Sequence, residues 1–209
     1  MTMNKPLVIA FSGGCFSGKT TTMEKLKESL EKRGHKVAML SELVREHKIE
    51  SIDKLRQNPS EYLKFQQDII LDKIDAELAC TNLDADVVLI DRAITDSLFY
   101  LLFYVDKSGL CFDDIALFYG LQNNIHAHIK QAFERIYDLV IEFSPISDVC
   151  HDKVYRPKQI GALKYIEHDI ISMLNEFATA NVLGKHIKWD LNTRSAEVLI
   201  QDIIERYEL

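Results

Sequence analysis

Apolar positions follow two alternating rhythms along this chain. Compact apolar runs occur at Leu7-Val8-Ile9-Ala10-Phe11, Lys36-Val37-Ala38-Met39-Leu40, Val87-Val88-Leu89-Ile90, Asp138-Leu139-Val140-Ile141-Glu142-Phe143 and His186-Ile187-Lys188-Trp189-Asp190-Leu191. Each is short enough for a strand, and the continuous run at 87–90 suits a strand covered on both faces. Between them, apolar residues recur at helical spacing: Met23, Leu26 and Leu30; then Tyr62, Phe65, Ile69, Ile70, Ile74 and Leu78; then Leu98, Leu101, Leu102 and Val105. Further helices are predicted over 113–136, over 161–177, and at the C-terminal end with Leu199, Ile203 and Tyr207 on one side.

The punctuation agrees with this reading. Gly34 supplies a C′ position for the first helix. Asn58-Pro59-Ser60-Glu61 reads as N-cap, N1 proline and the glutamate of a capping box. Thr95 or Asp96 suits the cap of the next helix, Lys107-Ser108-Gly109 breaks it, and Thr193 or Ser195 caps the last. The charged stretch 43–57 has no clean period and fits a short helix or a mobile loop. Strands alternating with helices predict an α/β fold in three layers, a parallel five-stranded sheet with helices on both faces. With no repeat, low-complexity tract or linker, residues 1–209 are expected to form a single domain.

The loop after the first strand carries the most specific chemistry. Gly13-Gly14-Cys15-Phe16-Ser17-Gly18-Lys19-Thr20 completes G-x-x-x-x-G-K-[ST] between a strand and a helix. Glycines let successive N–H groups turn toward phosphate oxygens, and the helix start adds its positive dipole. The pattern predicts a P-loop that binds ATP through Gly13, Gly14, Cys15, Phe16, Ser17, Gly18, Lys19, Thr20 and Thr21. Lys19 would reach the β- and γ-phosphates and the Thr20 hydroxyl would sit on Mg²⁺.

Strand ends gather ligands in such sheets, which singles out Glu42, Asp91, Arg92, the Ser144 turn and the Asn192-Thr193 turn. Asp91 closes an apolar strand in the manner of a Walker B carboxylate and is assigned to the metal with Thr20. Arg92 suits recognition of an anion. Glu42, ending the second strand and expected beside the first, is positioned to accept the proton of an incoming hydroxyl. Arg45, one turn later, is a candidate for the same cleft. His151-Asp152-Lys153-Val154-Tyr155-Arg156-Pro157-Lys158 concentrates cations between a strand and a helix, as a lid over 147–159 would, with Arg156 facing the moving phosphoryl group.

Bulk composition narrows the partners. A net charge of -7 weighs against duplex nucleic acid. The longest apolar run, Leu98 to Val105, is too short to span a bilayer. Cys15, Cys80, Cys111 and Cys150 lie far apart without a C-x-x-C pair, which suits reduced thiols in a cytoplasmic protein. His126 and His128 point to different helix faces and make no metal site. The acceptor is therefore expected to be a small molecule, and a homodimer is left open.

Taken together, Ser12 to Thr20, Ser41-Glu42-Leu43-Val44-Arg45-Glu46, Asp91-Arg92-Ala93-Ile94-Thr95-Asp96-Ser97 and Asp152 to Arg156 resemble the small P-loop kinases. The resemblance is nearest to the AAA-like ATPase/kinase group that includes the nicotinamide riboside kinases, and more distant to thymidylate and deoxynucleoside kinases. It runs through nearly the whole chain, and its most specific motif is the first. It implies a P-loop NTPase fold, a substrate-side role for Glu42 and Arg45, Asp91 and Arg92 near the transferred phosphate, Arg156 in a lid, and a nucleoside or nucleotide acceptor; Arg92 is also expected to contact the substrate. Two departures pull the acceptor in different directions: the Asp152–Arg156 spacing is one residue longer than Asp-Gly-x-Arg, and Asp91-Arg92 is closer to thymidylate kinases. The alternatives are a kinase of a hydroxymethylated base in phage DNA and a non-kinase P-loop ATPase switch. A GTPase is disfavoured by the lack of Asp-x-x-Gly and Asn-Lys-x-Asp, and a dehydrogenase by the lack of G-x-G-x-x-G.

Overall fold

The apolar runs pair side by side, all parallel, in the order β2-β3-β1-β4-β5. The strands are β1 (Leu7–Gly13), β2 (Val37–Leu40), β3 (Val87–Asp91), β4 (Leu139–Phe143) and β5 (His186–Trp189). The computed structural model describes residues 5–42, 52–146, 161–180, 182 and 184–209. Helices α1 (Lys19–Lys32), α2 (Ile52–Leu55), α3 (Pro59–Cys80), α4 (Ile94–Tyr104), α5 (Phe112–Gln131), α6 (Gly161–Thr179) and α7 (Ala196–Tyr207) cover the sheet.

Strand alternation divides the core in two. Val8 and Ala10 of β1, Val88 and Ile90 of β3 and Val140 of β4 face residues of α3, α4, α5 and α6, including Leu63, Leu98, Ile125 and Ala178. Ile9, Phe11, Leu89 and Ile141 face the opposite way, onto Met23, Leu26 and Leu30 of α1 and Leu199 and Ile203 of α7. Both sheet faces are thus buried, as the near-continuous apolar strands require. Among the described residues, no helix is long and apolar enough to cross a membrane.

The sheet order corrects one expectation. Glu42 does not end a strand beside β1, because β3 lies between β2 and β1. Every residue of β3 is buried, whereas those of β2 are half-buried, so the more apolar strand takes the interior place and β2 the edge. With β3 on one side of β1 and β4 on the other, the strand order switches at β1, and the C-terminal end of β1 is where sheets of this topology bind ligands.

Several helix ends match the sequence signals. Asn58 accepts the Glu61 N–H, Ser195 rather than Thr193 caps α7, and Gly34 (φ 92°) follows the C-cap of α1. Two differ. Ala93, not Thr95 or Asp96, is the N-cap of α4, because both side chains are turned into the core instead. The predicted helix over 113–136 ends as α5 at Gln131 and widens into a π turn, Ala132–Ile136.

Just after that turn, Tyr137 donates its hydroxyl to Glu77 Oε1 (2.7 Å) and accepts the Ile94 N–H (3.1 Å). Glu77 has no exposed surface and also meets His128 Nε2 (2.8 Å) and Lys73 Nζ (3.5 Å). Lys73 in turn donates to the Asp91 carbonyl at 3.2 Å, so this network supports the end of β3. His128 is therefore a structural histidine, while Cys150 and His151 lie outside the described residues. Glu77→Ala strands several buried polar groups, and it is expected to lower unfolding free energy by about 3–5 kcal/mol. Urea denaturation is the check, and a cost near zero would mean that Glu77 does not hold these elements together.

Candidate active site

β1 ends in a geometry that only glycine satisfies. Gly13 has φ 125°, and a Cβ there would lie 2.5 Å from the carbonyl oxygen of Phe143 in the neighbouring strand. The chain then rises through Phe16, at φ 61°, to Gly18, at φ 81°, which is the N-cap of α1. A Cβ on Gly18 would come within 2.5 Å of Leu191 Cδ1 and 3.3 Å of Ile146 Cδ1, so the turns after β4 and β5 press on the loop from the side. The Ser144 and Asn192 turns are themselves joined there: Ser144 N–H donates to the Trp189 carbonyl and Asn192 Nδ2 to the Pro145 carbonyl, both at 2.9 Å.

The loop has the features of an anion cradle. No side chain caps α1, and no described group accepts the N–H of Lys19, Thr20 or Thr21, so these first-turn amides stand at the positive end of the helix dipole. Lys19 is 6% exposed, and its ammonium donates to the carbonyls of Gly13 (2.7 Å) and Gly14 (2.6 Å) and to Ser17 Oγ (3.1 Å). No described carboxylate forms an ion pair with it. Burial, followed by the nearby Arg92 guanidinium, lowers its pKa from the ordinary lysine value. A buried ammonium that no described carboxylate pairs with directly, in a ring of glycines, fits the phosphates of a nucleotide.

Thr20 Oγ1 donates to Asp91 Oδ2 at 3.0 Å, which places the two predicted metal ligands side by side. Among the described residues, no group of three or more His, Cys, Asp or Glu side chains is arranged to hold a metal ion. A hydroxyl and one carboxylate, both hard oxygen donors, fit Mg²⁺ brought in with phosphates better than a resident ion in a protein cage.

Arg92 links these groups. It adopts φ 70°, a strained conformation for a side-chain-bearing residue, and turns its guanidinium under the loop. Nε donates to Glu42 Oε1 at 2.6 Å, Nη1 to Asp96 Oδ2 (3.3 Å) and the Gly13 carbonyl (3.4 Å), and Nη2 to Cys15 Sγ (3.6 Å). Its guanidinium also lies 5.2 Å from the Tyr100 ring centre. Burial, the largest single influence, works to lower the Arg92 pKa, and the Glu42 carboxylate together with Tyr100, Cys15 and Asp96 outweighs it, so the group is held well above its ordinary value. Glu42 therefore reaches the site from the sheet edge through Arg92.

Sequence reading missed three groups here. Asp96, fully buried, accepts from Ser12 Oγ (2.5 Å) and the Gly13 N–H (3.3 Å). Its spacing of four from Arg92 was the available signal. Asn175 of α6 donates to Ser12 Oγ (2.9 Å) and accepts from Thr95 Oγ1 (2.8 Å). Glu167 of α6 accepts from the Cys15 N–H (3.2 Å) and Tyr100 OH (2.6 Å). Neither α6 residue had a signal beyond being polar in an amphipathic helix. The residues Gly13 to Thr21, Glu42, Asp91 and Arg92 are thus brought together, while Arg45, Arg156 and the lid over 147–159 lie outside the described residues.

Comparison with known proteins places this geometry. A family described as an AAA domain matches residues 8–183. No curated protein matches. Among solved structures, NadR protein in complex with NR is similar with a TM-score of 0.70 at 19% identity, over 96% of this chain and 51% of that one. NadR protein in complex with NAD and AMP-PNP is similar with a TM-score of 0.69 at 18% identity, over 98% and 50%. The chain thus spans about half the length of the NadR chains. Deoxyadenosine kinase from M. mycoides, with products dcmp and a flexible dcdp bound, has a TM-score of 0.64 at 15% identity, over 97% of this chain and 99% of that one. These likenesses bear out the P-loop NTPase fold and the resemblance to small P-loop kinases read from the motifs.

Asp96 gives the site a pH signature. Burial, working against the nearby Arg92 and Lys19, raises its pKa from 3.8 to about 6. A raised carboxyl pKa means that the folded protein holds the proton more tightly than the unfolded chain. The resulting stability is fully present below pH 3.8 and is lost as pH rises through about 6. The stability of wild type relative to Asp96→Asn should therefore fall by about 3 kcal/mol between pH 3.5 and pH 7. Paired urea melts across that range test this, and a pH-independent difference would contradict it.

Proposed function

Because the chain belongs to the AAA domain family, we propose that it is an ATP-dependent phosphotransferase that moves the γ-phosphate to a hydroxyl or phosphate of a nucleoside- or nucleotide-like small molecule. The observation that carries this is the Lys19 ammonium, buried in a glycine loop with no ion pair to any described carboxylate and next to the Thr20–Asp91 pair. The P-loop kinase-like fold shared with the deoxyadenosine kinase structure supports it.

Each residue then has a defined task. The first-turn amides and Lys19 bind the polyphosphate, with Lys19 as a point charge on the β- and γ-oxygens. Thr20 and Asp91 would hold Mg²⁺, which when bound offsets phosphate charge. Arg92 fixes the carboxylate of Glu42 by its Nε contact and presents a second cation beneath the loop. Glu42 orients the acceptor and takes the proton of an attacking hydroxyl. Arg45 is assigned to the acceptor and Arg156 to the phosphoryl group in transit.

The test is turnover of ATP and Mg²⁺ with a panel of nucleosides and nucleoside monophosphates, following ADP and phosphorylated product together. ADP formation is expected to depend on the acceptor, and Lys19→Ala is expected to lower kcat/KM at least 100-fold with the fold intact. ADP release that ignores every acceptor would point to an ATPase switch. Near-normal phosphotransfer by folded Lys19→Ala would remove the basis of the proposal.

A further inference from the structure

Arg92 is the strained residue of the site, and both peptide units that meet at its Cα are anchored. The unit after it is tied to β1, where the Ala93 N–H donates to the Phe11 carbonyl at 3.1 Å. The unit before it carries the Asp91 carbonyl, which accepts from the Lys73 ammonium of α3 at 3.2 Å. Changing φ at Arg92 from 70° rotates one of these units against the other, so leaving the left-handed region costs one of the two bonds.

Lys73 is buried, and its ammonium lies closer to that carbonyl than to Glu77 Oε1, which is 3.5 Å away. The same Glu77 oxygen accepts from Tyr137 OH at 2.7 Å, and that hydroxyl accepts the Ile94 N–H at 3.1 Å. One buried carboxylate therefore stands behind both ends of the turn 91–94. Lys73 reaches its first residue and Tyr137 its last. A lysine that only balanced the Glu77 charge would bring its ammonium nearest the carboxylate, whereas here the shorter contact is to the backbone beside Arg92.

We propose that Lys73 is a positioning residue for Arg92. By fixing the Asp91 carbonyl it keeps Arg92 in the left-handed turn, and so keeps the guanidinium under the loop and the Arg92–Glu42 contact in place. Strain of this kind persists only where the surroundings over-determine it. Without the ammonium the Asp91–Arg92 unit rotates, Arg92 relaxes, and Glu42 loses the donor that sets its carboxylate. The kinetic consequence rests on the phosphotransferase reading of the site; the placement of Arg92 does not.

Two measurements on the full chain test this. The Arg92 Nε–H, which donates to Glu42 at 2.6 Å, should give a downfield, slowly exchanging resonance in ¹H–¹⁵N NMR spectra, identified by its loss in Arg92→Lys. Lys73→Met keeps an unbranched side chain and removes the donor, so it should move that resonance upfield or lose it to exchange with water. His128→Gln loosens the Glu77 network elsewhere and should leave it in place. In turnover with ATP, Mg²⁺ and acceptor, Lys73→Met should lower kcat about ten-fold with AMP-PNP affinity within about two-fold of wild type. In an Arg92→Gly background the turn is unstrained and no guanidinium is left to place, so Lys73→Met should cost nothing further in kcat. An unmoved resonance in folded Lys73→Met, equal shifts in Lys73→Met and His128→Gln, or additive kcat losses overturn the role of Lys73. Should Lys73→Met not fold, Lys73→Gln, whose amide ends short of the carbonyl, takes its place in each measurement. A resonance that responds as expected in a protein without turnover on any acceptor supports the positioning role and overturns the phosphotransferase reading instead.

Discussion

Asp96 lies in the first turn of α4, has no exposed surface, and accepts from Ser12 Oγ, the Gly13 N–H and Arg92 Nη1, so the first glycine of the loop cannot shift without stripping a buried carboxylate of its partners. The network extends outward from there. Ser12 Oγ also accepts from Asn175 Nδ2, and Asn175 Oδ1 accepts from Thr95 Oγ1. Asn175 Nδ2 also reaches Glu142 Oε2 at 3.4 Å, where His186 Nε2 lies at 2.9 Å. One connected set of polar groups therefore ties β1, α4, α6, β4 and β5 together directly beneath the phosphate cradle. Buried networks of this kind rigidify when they are satisfied and fail when one member is removed.

That rigidity explains how the loop keeps conformations that cost free energy. Phe16 and Arg92 both hold positive φ, on the order of 1–3 kcal/mol each. Arg92 is kept there by acceptors on three sides: the Glu42 carboxylate, the Asp96 carboxylate and the Gly13 carbonyl. The left-handed turn after β3 is what swings its guanidinium back under the loop rather than out along the strand direction. An extended residue at that position would send the side chain elsewhere, and Glu42 at the sheet edge would lose its connection to the site.

Local patterns were legible in the sequence, and pairings between distant elements were not. The loop from Gly13 to Thr20 could be read because spacing and residue type alone decide its chemistry, and Asp91 because it ends an apolar run. The five strands and the two-sided sheet followed from the alternation of rhythms. Sheet order did not, since nothing local distinguishes a neighbour of β1 from an edge strand, although Val87–Ile90 is more apolar than Lys36–Leu40. Glu42 and Arg92 were each noticed, yet their pairing depends on β2 lying against β3. Asp96 resembled a helix cap because aspartate commonly is one, while tertiary packing gave it a different task. Glu167 and Asn175 were invisible because their destination depends on where α6 crosses the loop. In the sequence they are only polar residues in an amphipathic helix.

Electrostatics set the remaining constraint. The chain carries a net charge of -7, and Asp91, Asp96, Glu42 and Glu167 all lie close to a loop shaped for a polyanion. Two unit charges 4 Å apart interact by about 4 kcal/mol at an effective dielectric near 20, so unshielded acids here would expel the ligand they surround. Three of the four have local relief. Burial shifts Asp96 toward its neutral form, Glu42 is paired with Arg92, and Asp91 lies with Thr20 where a divalent ion fits. Glu167 has hydrogen-bond donors but no described cation, and the cations concentrated in sequence at Lys153, Arg156 and Lys158 come just before the helix that carries it. The described acids near the loop are thus each offset by burial, by a paired cation or by hydrogen-bond donors, which leaves the loop's amides and Lys19 open to an anion.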